Sequence, residues 1–419
     1  MDTATATATP TTTDIACGSH RNFHRREPED LPPPSTAQHV IEYQPQHRYH
    51  PPMLLRSPNS TSPPPISSAY YLSTPHMLQA LSAREHALPS FLRNHFSGRG
   101  VCRDWKLQIS TPFFAHNQSL CFQGFSGLFF QSRGDPPYFI SVDPISCGVP
   151  DPSLKFLPEL VNIKASSNGL ICCQGCTGDK AYYICNPVTR QWKKLPKTNA
   201  DHGSDPAVVL VFEPSLLNFV ADYKLVCAFP SIDFDDATEF EIYSSTEGSW
   251  KISGEICFAS KKLVSRSGVY VDGVVYWQER HHGVVAFDLT KDRSQLIQGY
   301  HGATSTLGVM NGKLCSAYAT GRSITVQVLS NVYSNTMQMH SNARTWKEET
   351  RFDLGNPVTA AGVGQERYMV LFAGCNVVLV QGGKTILCYD MKTKETKIIS
   401  SAAENNARCV SCVNSLIYI

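Results

Sequence analysis

The sequence points to a mainly β chain, a β-propeller of about six blades preceded by a short α-helical segment and a disordered leader. Three features carry that reading. Short apolar runs punctuated by turn residues fill the chain from about residue 137 onward. A bulky anchor residue recurs about every 50 residues, and Asn-Gly or Asp-Gly pairs stand directly before several of the apolar runs.

The leader comes first. Residues 1–70 hold 12 of the 27 prolines, with Pro32-Pro33-Pro34 and Pro63-Pro64-Pro65, few aliphatic residues and no apolar period. Such a Pro/Thr-rich stretch cannot bury enough surface to offset its ordering entropy, so disorder is expected there. Residues 1–14 alternate Thr and Ala without the apolar centre of a secretory signal, and no later stretch approaches the roughly 18 consecutive apolar residues of a membrane span. A soluble, intracellular chain is therefore expected, cytoplasmic and/or nuclear. The 37 basic and 35 acidic side chains leave a formal net charge of +2, which excludes a dedicated electrostatic nucleic-acid binder. Fifteen cysteines, spread from Cys17 to Cys412, read as buried thiols of a reducing compartment.

Residues 71–118 form the helical segment. Val101, Trp105 and Ile109 recur at i, i+4 and i+8, so one face of a short helix is apolar and large; Pro112 follows its expected end and Phe113-Phe114 extend the bulk.

From 137 to 419 the helical period gives way to β-type runs at 138–142, 169–173, 181–185, 207–212, 223–229, 240–243, 268–277, 283–287, 313–318, 324–329, 368–372 and 385–389. The anchors Trp192, Trp250, Leu296, Trp346 and Ile398 are spaced 58, 46, 50 and 52 residues apart. A period near 50 is that of a four-stranded kelch-type blade, and Tyr243 to Trp250 keeps a kelch-like Tyr-x6-Trp spacing. Asn168-Gly169, Asp272-Gly273 and Asn311-Gly312 mark hairpin turns in the same register. The C-terminal run from Cys409 reads as one more strand, which completes the first blade and closes the ring.

Several of these blocks resemble a known family. Ser167 to Cys172 followed by Cys185-Asn186-Pro187-Val188-Thr189-Arg190-Gln191-Trp192 resembles the start of the F-box-associated domain of plant F-box proteins, and Val269 to Trp277, Phe287-Asp288 and Val413 to Leu416 are similar to its later blocks. Residues 101–113 resemble the second half of an F-box. The first half departs from the pattern: Leu88-Pro89 stands about two residues too far from Val101, and Gly98 and Gly100 interrupt the helix, so the F-box is degenerate or truncated. The resemblance implies a non-catalytic substrate-recognition subunit of an SCF-type cullin-RING ubiquitin ligase. In that role Val101, Cys102, Trp105, Ile109, Pro112 and Phe113 would dock on a Skp-type adaptor, and the propeller loops of 137–419 would bind an unknown substrate protein. The alternative is a propeller scaffold without adaptor docking.

Other clusters take plainer readings. Cys173/Cys176 and Cys409/Cys412 form two Cys-x-x-Cys pairs, but their separation is unlike a zinc ribbon and the residues fall in strands, so buried thiols are preferred to a metal site. Asp233 to Glu241 reads as a solvated loop running into a strand. His281 and His282 are adjacent in a hairpin turn, where neighbouring side chains point apart. Trp192, Trp250, Trp277 and Trp346 suit packing between blades better than ligand stacking. No phosphate-binding Gly loop, nucleophile elbow or His-Glu-x-x-His is present, so neither catalytic residues nor a cofactor are expected.

Overall fold

The computed structural model describes residue 107 and residues 111–419 apart from 122–123, 143–148, 204, 259–262, 281–282, 298–304, 331–345, 355–367, 375 and 401–406. The expected leader over 1–70, and Val101, Cys102, Trp105 and Ile109, lie outside the described residues.

The described chain is mainly β. One helix, α1 (Pro112–Cys121), precedes two strands, β1 (Phe125–Gln131) and β2 (Tyr138–Ser141). Antiparallel four-stranded meanders follow: β3 (Val161–Ser167), β4 (Leu170–Gly175), β5 (Tyr182–Asn186) and β6 (Gln191–Lys194); then β7 (Ala207–Phe212), β8 (Tyr223–Pro230), β9 (Ala237–Ser244) and β10 (Ser249–Phe258); then β11 (Val269–Val271), β12 (Val274–Gln278), β13 (Val284–Asp288) and β14 (Arg293–Ile297). Two further runs of four, β15 (Thr306–Met310), β16 (Lys313–Thr320), β17 (Ser323–Leu329), β18 (Trp346–Asp353) and β19 (Tyr368–Gly374), β20 (Val377–Gly382), β21 (Thr385–Asp390), β22 (Thr396–Ser400), join into one eight-stranded sheet through a single parallel pair, Val309 with Gly374. The last strand, β23 (Arg408–Val413), pairs antiparallel with β1 and gives the sheet order β2-β1-β23. The C-terminal run thus completes the first sheet, as the sequence suggests. The sheet begins at Phe125, upstream of the residue 137 where the sequence placed its start.

The turns explain the repeat. Asn168-Gly169, Asp272-Gly273 and Asn311-Gly312 all have positive φ at both positions, the geometry of two-residue type I′ hairpins, and each joins the first and second strand of its meander. The third and fourth strands are joined by a second recurring device, in which a side-chain oxygen at the end of the third strand caps the turn. Asn186 Oδ1 accepts from the Val188 and Thr189 amides, Asp288 Oδ1 from Thr290 and Lys291, and Asp390 Oδ1 from Lys392 and Thr393. The anchors Trp192, Trp250, Leu296, Trp346 and Ile398 all fall on the fourth strands β6, β10, β14, β18 and β22.

The core lies between meanders. Both faces of the inner strands are covered, so these strands read as continuous apolar runs. Cys172 packs with Leu225, Cys227 and Tyr243 of the next meander, whereas its neighbours Ile171 and Cys173 pack on Phe129 and Cys412 of the first sheet. Similar clusters join β7–β10 to β11–β14 around Phe240, Trp277 and Phe287, β11–β14 to β15–β18 around Tyr276 and Leu314, β15–β18 to β19–β22 around Val326 and Val380, and β19–β22 back to β1 around Leu379 and Leu128. The clusters therefore follow one another in cyclic order, the arrangement of a propeller. Trp250 and Trp277 are buried in them; Trp192 departs from the expected packing between blades, standing 42% exposed and edge-on to Tyr183 within its own meander.

The first strands run in a common direction. Lys164 from the middle of β3 meets Asp205, just before β7, and Arg408, the first residue of β23, toward one rim, while Ser167 Oγ and Asn168 Nδ2 at the end of β3 reach Phe212 O at the end of β7 on the other. The two rims will be called the mouth rim and the helix rim.

Candidate functional site: two opposed rims

The helix rim is built from α1 and the C-terminal tail. The helix that the sequence places before Pro112 lies outside the described residues apart from residue 107; Pro112 itself opens a further helix, α1, because Thr111 caps it through its Oγ1, which accepts from the Phe114 amide, and a proline at the first helical position loses no hydrogen bond. Gln118 then clamps the tail from both sides: its Nε2 donates to Asn414 O at 2.7 Å and its Oε1 accepts from the Leu416 amide at 2.8 Å. Buried Asn186 continues the clamp by donating to Ser415 O and Ile417 O. Ala115 packs against Val188 and Leu416, so one face of α1 belongs to the propeller. Pro112 and Phe113 stay exposed, and the Phe113 ring lies 6.5 Å from that of Phe219, beside the exposed Leu216, Leu217 and Val220.

The mouth rim is charged. Asp205 Oδ1 accepts from Lys164 Nζ at 3.2 Å and from an Arg408 guanidinium nitrogen at 2.6 Å, and Asp205 Oδ2 accepts from the Ser265 hydroxyl. Burial pushes the Asp205 carboxyl up, but the Ser265 hydrogen bond with the Arg408 and Lys164 charges outweighs it and holds the group below its ordinary range. Next to it, the link 195–203 is fixed by a buried polar chain. Tyr182 Oη and His202 Nδ1 are 3.0 Å apart, and His202 Nε2 is 2.7 Å from Glu241 Oε2. The Glu241 carboxylate also accepts from the Asn199 and Ala200 amides. Burial raises the Glu241 carboxyl, yet His202 and the two amides outweigh it, so the net shift is downward. The His202 ring stacks on Phe229 at 4.9 Å, and Trp250 Nε1 donates to Pro196 O. A small cleft of about 100 Å³, open to solvent, lies along this link and is lined by Lys180, Tyr182, Lys194, Lys197 and His202 among others.

A Tyr-His-Glu chain resembles catalytic furniture, but here every member is buried and the carboxylate is spent on backbone amides and the imidazole, so its chemistry is positional. The two Cys-x-x-Cys pairs do not gather as four thiols: one cysteine of each, Cys173 and Cys412, shares an apolar cluster with Cys185, Cys176 is exposed, and burial raises the Cys409 and Cys412 thiols to about 11 and about 12. Among the described residues no group of three or more His, Cys, Asp or Glu side chains is placed to hold a metal ion. The acidic stretch forms a loop up to Asp236 and enters β9 at Ala237, as read from sequence. His281 and His282 lie outside the described residues. Among the described residues no helix is long and apolar enough to cross a membrane.

The family follows from comparison. A family described as "F-box protein At3g26010-like, beta-propeller" matches residues 152–415, and the chain belongs to it. Among curated proteins the chain is similar to F-box protein At5g49610 of Arabidopsis thaliana, 35% identical over 26% of this chain and 29% of that protein. It is also similar to the putative F-box protein At3g23950 of the same plant, 25% identical over 59% of this chain and 64% of that one. The chain thus spans less than two thirds of the length of these relatives. Among solved structures, the Aleuria aurantia lectin aligns at 8% identity with a TM-score of 0.39, covering 68% of this chain and 99% of the lectin.

Proposed function

We propose that this chain is a substrate-recognition subunit of an SCF-type cullin-RING ubiquitin ligase, with docking to a Skp-type adaptor at its helix rim and a target protein held at the mouth rim. The observation that carries this is the opposition of the rims: α1, which follows the F-box-like residues and begins at their last two, Pro112 and Phe113, is fixed at one end, while the charged side chains of Lys164, Asp205 and Arg408 gather at the other. Reading the eight-stranded sheet as two four-stranded blades gives a six-bladed ring whose strand β23 completes the first blade. In this role the protein makes no bond itself; it raises the local concentration of its target near a ubiquitin-loaded enzyme, in the cytoplasm and/or nucleus.

One observation favours a second reading. The helix that begins at the end of the F-box-like half-motif is committed to the propeller by the residues that follow it, since it buries Ala115 and spends Gln118 on the C-terminal tail. The alternative is a propeller interaction scaffold without adaptor docking. A pull-down of the full chain with a Skp-type adaptor decides between them. Capture that is lost in a Trp105→Ala, Ile109→Ala double variant supports the ligase reading, and no capture of the folded natural chain overturns it.

A further inference from the structure

The meanders β15–β18 and β19–β22 meet in a way of their own. The first strands β3 and β7 are tied by side chains, where Ser167 and Asn168 reach the Phe212 carbonyl. By contrast β15 and β19 pair backbone to backbone, in parallel, at Val309 and Gly374. Two glycines permit that approach. A Cβ on Gly308 would stand 1.8 Å from the Ala373 carbonyl oxygen, and one on Gly374 would stand 3.0 Å from that of Val309. Neither glycine has a positive φ, so the positions require glycine for space and not for backbone conformation. Glycine weakens a strand interior unless another backbone comes close, and here one does.

The same seam is tied at several depths. At the start of β15 the Thr306 hydroxyl donates to Val370 O, and from β16 the Cys315 thiol lies 3.9 Å from Ala373 O. Ala317 and Val326 of one meander share a buried cluster with Val370 and Val380 of the other. Toward the outer strands the Phe352 ring of β18 stacks on Tyr389 of β21, with centroids 3.6 Å apart and planes 7° from parallel. Opening either meander therefore breaks the parallel pair, uncovers the shared cluster and strips the stacked ring of its partner.

We infer that β15–β22 is one conformational unit, a double blade that opens and closes as a whole, and that the adjoining meander β11–β14 opens separately from it. Cooperative units of a native protein are sets of elements whose contacts are lost together, and the seam supplies such a set. At the other side of β15–β18 the contact is an apolar cluster around Tyr276 and Leu314, and among the described residues β11–β14 forms a sheet of its own. The strand ends of the double blade thus keep a fixed spacing at both rims. This inference depends on neither rim having the partner proposed for it.

Residue-resolved hydrogen exchange of the full chain tests this, with Ile386→Val as a small perturbation. Ile386 is fully buried in the cluster that joins β21 to the first sheet, on the face away from β15–β18. The lost methylene should speed exchange about fivefold in β20 and β21 and equally in β16 and β17, with β12 and β13 unchanged. Adding Gly308→Ala, which forces the Ala373 carbonyl away from β15, should confine the response to β20 and β21. If that double variant does not fold, Gly374→Ala replaces Gly308→Ala as the milder break of the same seam. A response confined to β20 and β21 in Ile386→Val alone, an equal response in β12 and β13, or a response of β16 and β17 that survives the broken seam overturns the proposal.

Discussion

The two rims of the molecule are held together by different chemistry. At the helix rim the closing contacts are neutral: Gln118 and Asn186 amides tie the tail after β23 to α1 and to the β5–β6 turn. At the mouth rim they involve carboxylates: Asp205 with Lys164 and Arg408 on one side, Glu241 with the His202 ring and two backbone amides on the other. Neutral amide clamps are indifferent to pH and salt, which suits a permanent closure. Partly buried charges respond to both, which suits a surface that receives a partner.

The comparison can be broken most sharply at Glu241. Replacing it with Ala leaves His202 buried beside the orphaned Asn199 and Ala200 amides, and a loss of about 3–5 kcal/mol in urea unfolding is expected; a loss below ~1 kcal/mol would show that the link is held by packing alone. Asn186→Ala comes next. It removes the two donations to Ser415 O and Ile417 O and the turn cap at Val188 and Thr189, for about 3 kcal/mol. Gln118→Ala releases one side of the same clamp and costs about 1–2 kcal/mol. In both amide variants the loss should be the same at pH 7 and at acid pH.

The smallest effect is the acid response itself. Glu241 and Asp205 have folded-state pKa values below their unfolded ones, so their contribution is fully present above the unfolded carboxylate range near pH 4 and is lost as pH falls through the lowered folded values. Thermal midpoints measured from pH 7 down to pH 3 should therefore fall less for a Glu241→Gln variant than for the natural chain. A parallel fall in both would remove the carboxylate chemistry claimed for the mouth rim.

Much of the scaffold was legible because inner strands are covered on both faces. Stretches such as Ala207 to Phe212 are continuous apolar runs, and the turns between first and second strands announce themselves as Asn-Gly or Asp-Gly. The fourth strands were harder. The strand β18 is largely exposed along its length and lacks alternation, so it was visible only through its anchor, Trp346. The mouth cluster was not legible. Lys164, Asp205 and Arg408 are 41 and 203 residues apart along the chain and meet only once β3, β7 and β23 lie side by side. A signal did exist in Val161 to Ala165, where a lone lysine interrupts a β-type run. The helix that Pro112 opens was not legible either: a proline after one helix can also begin the next, and the Thr111 cap that makes it do so is visible only with its hydrogen bond from the Phe114 amide.

The account's central claim is that the rims have separate partners, and hydrogen-deuterium exchange of the full chain with and without a Skp-type adaptor tests it most directly. Protection confined to residues 101–121, with 161–166, 203–208, 263–267 and 407–410 unchanged, is the predicted result. Protection at those mouth-rim segments instead would contradict it.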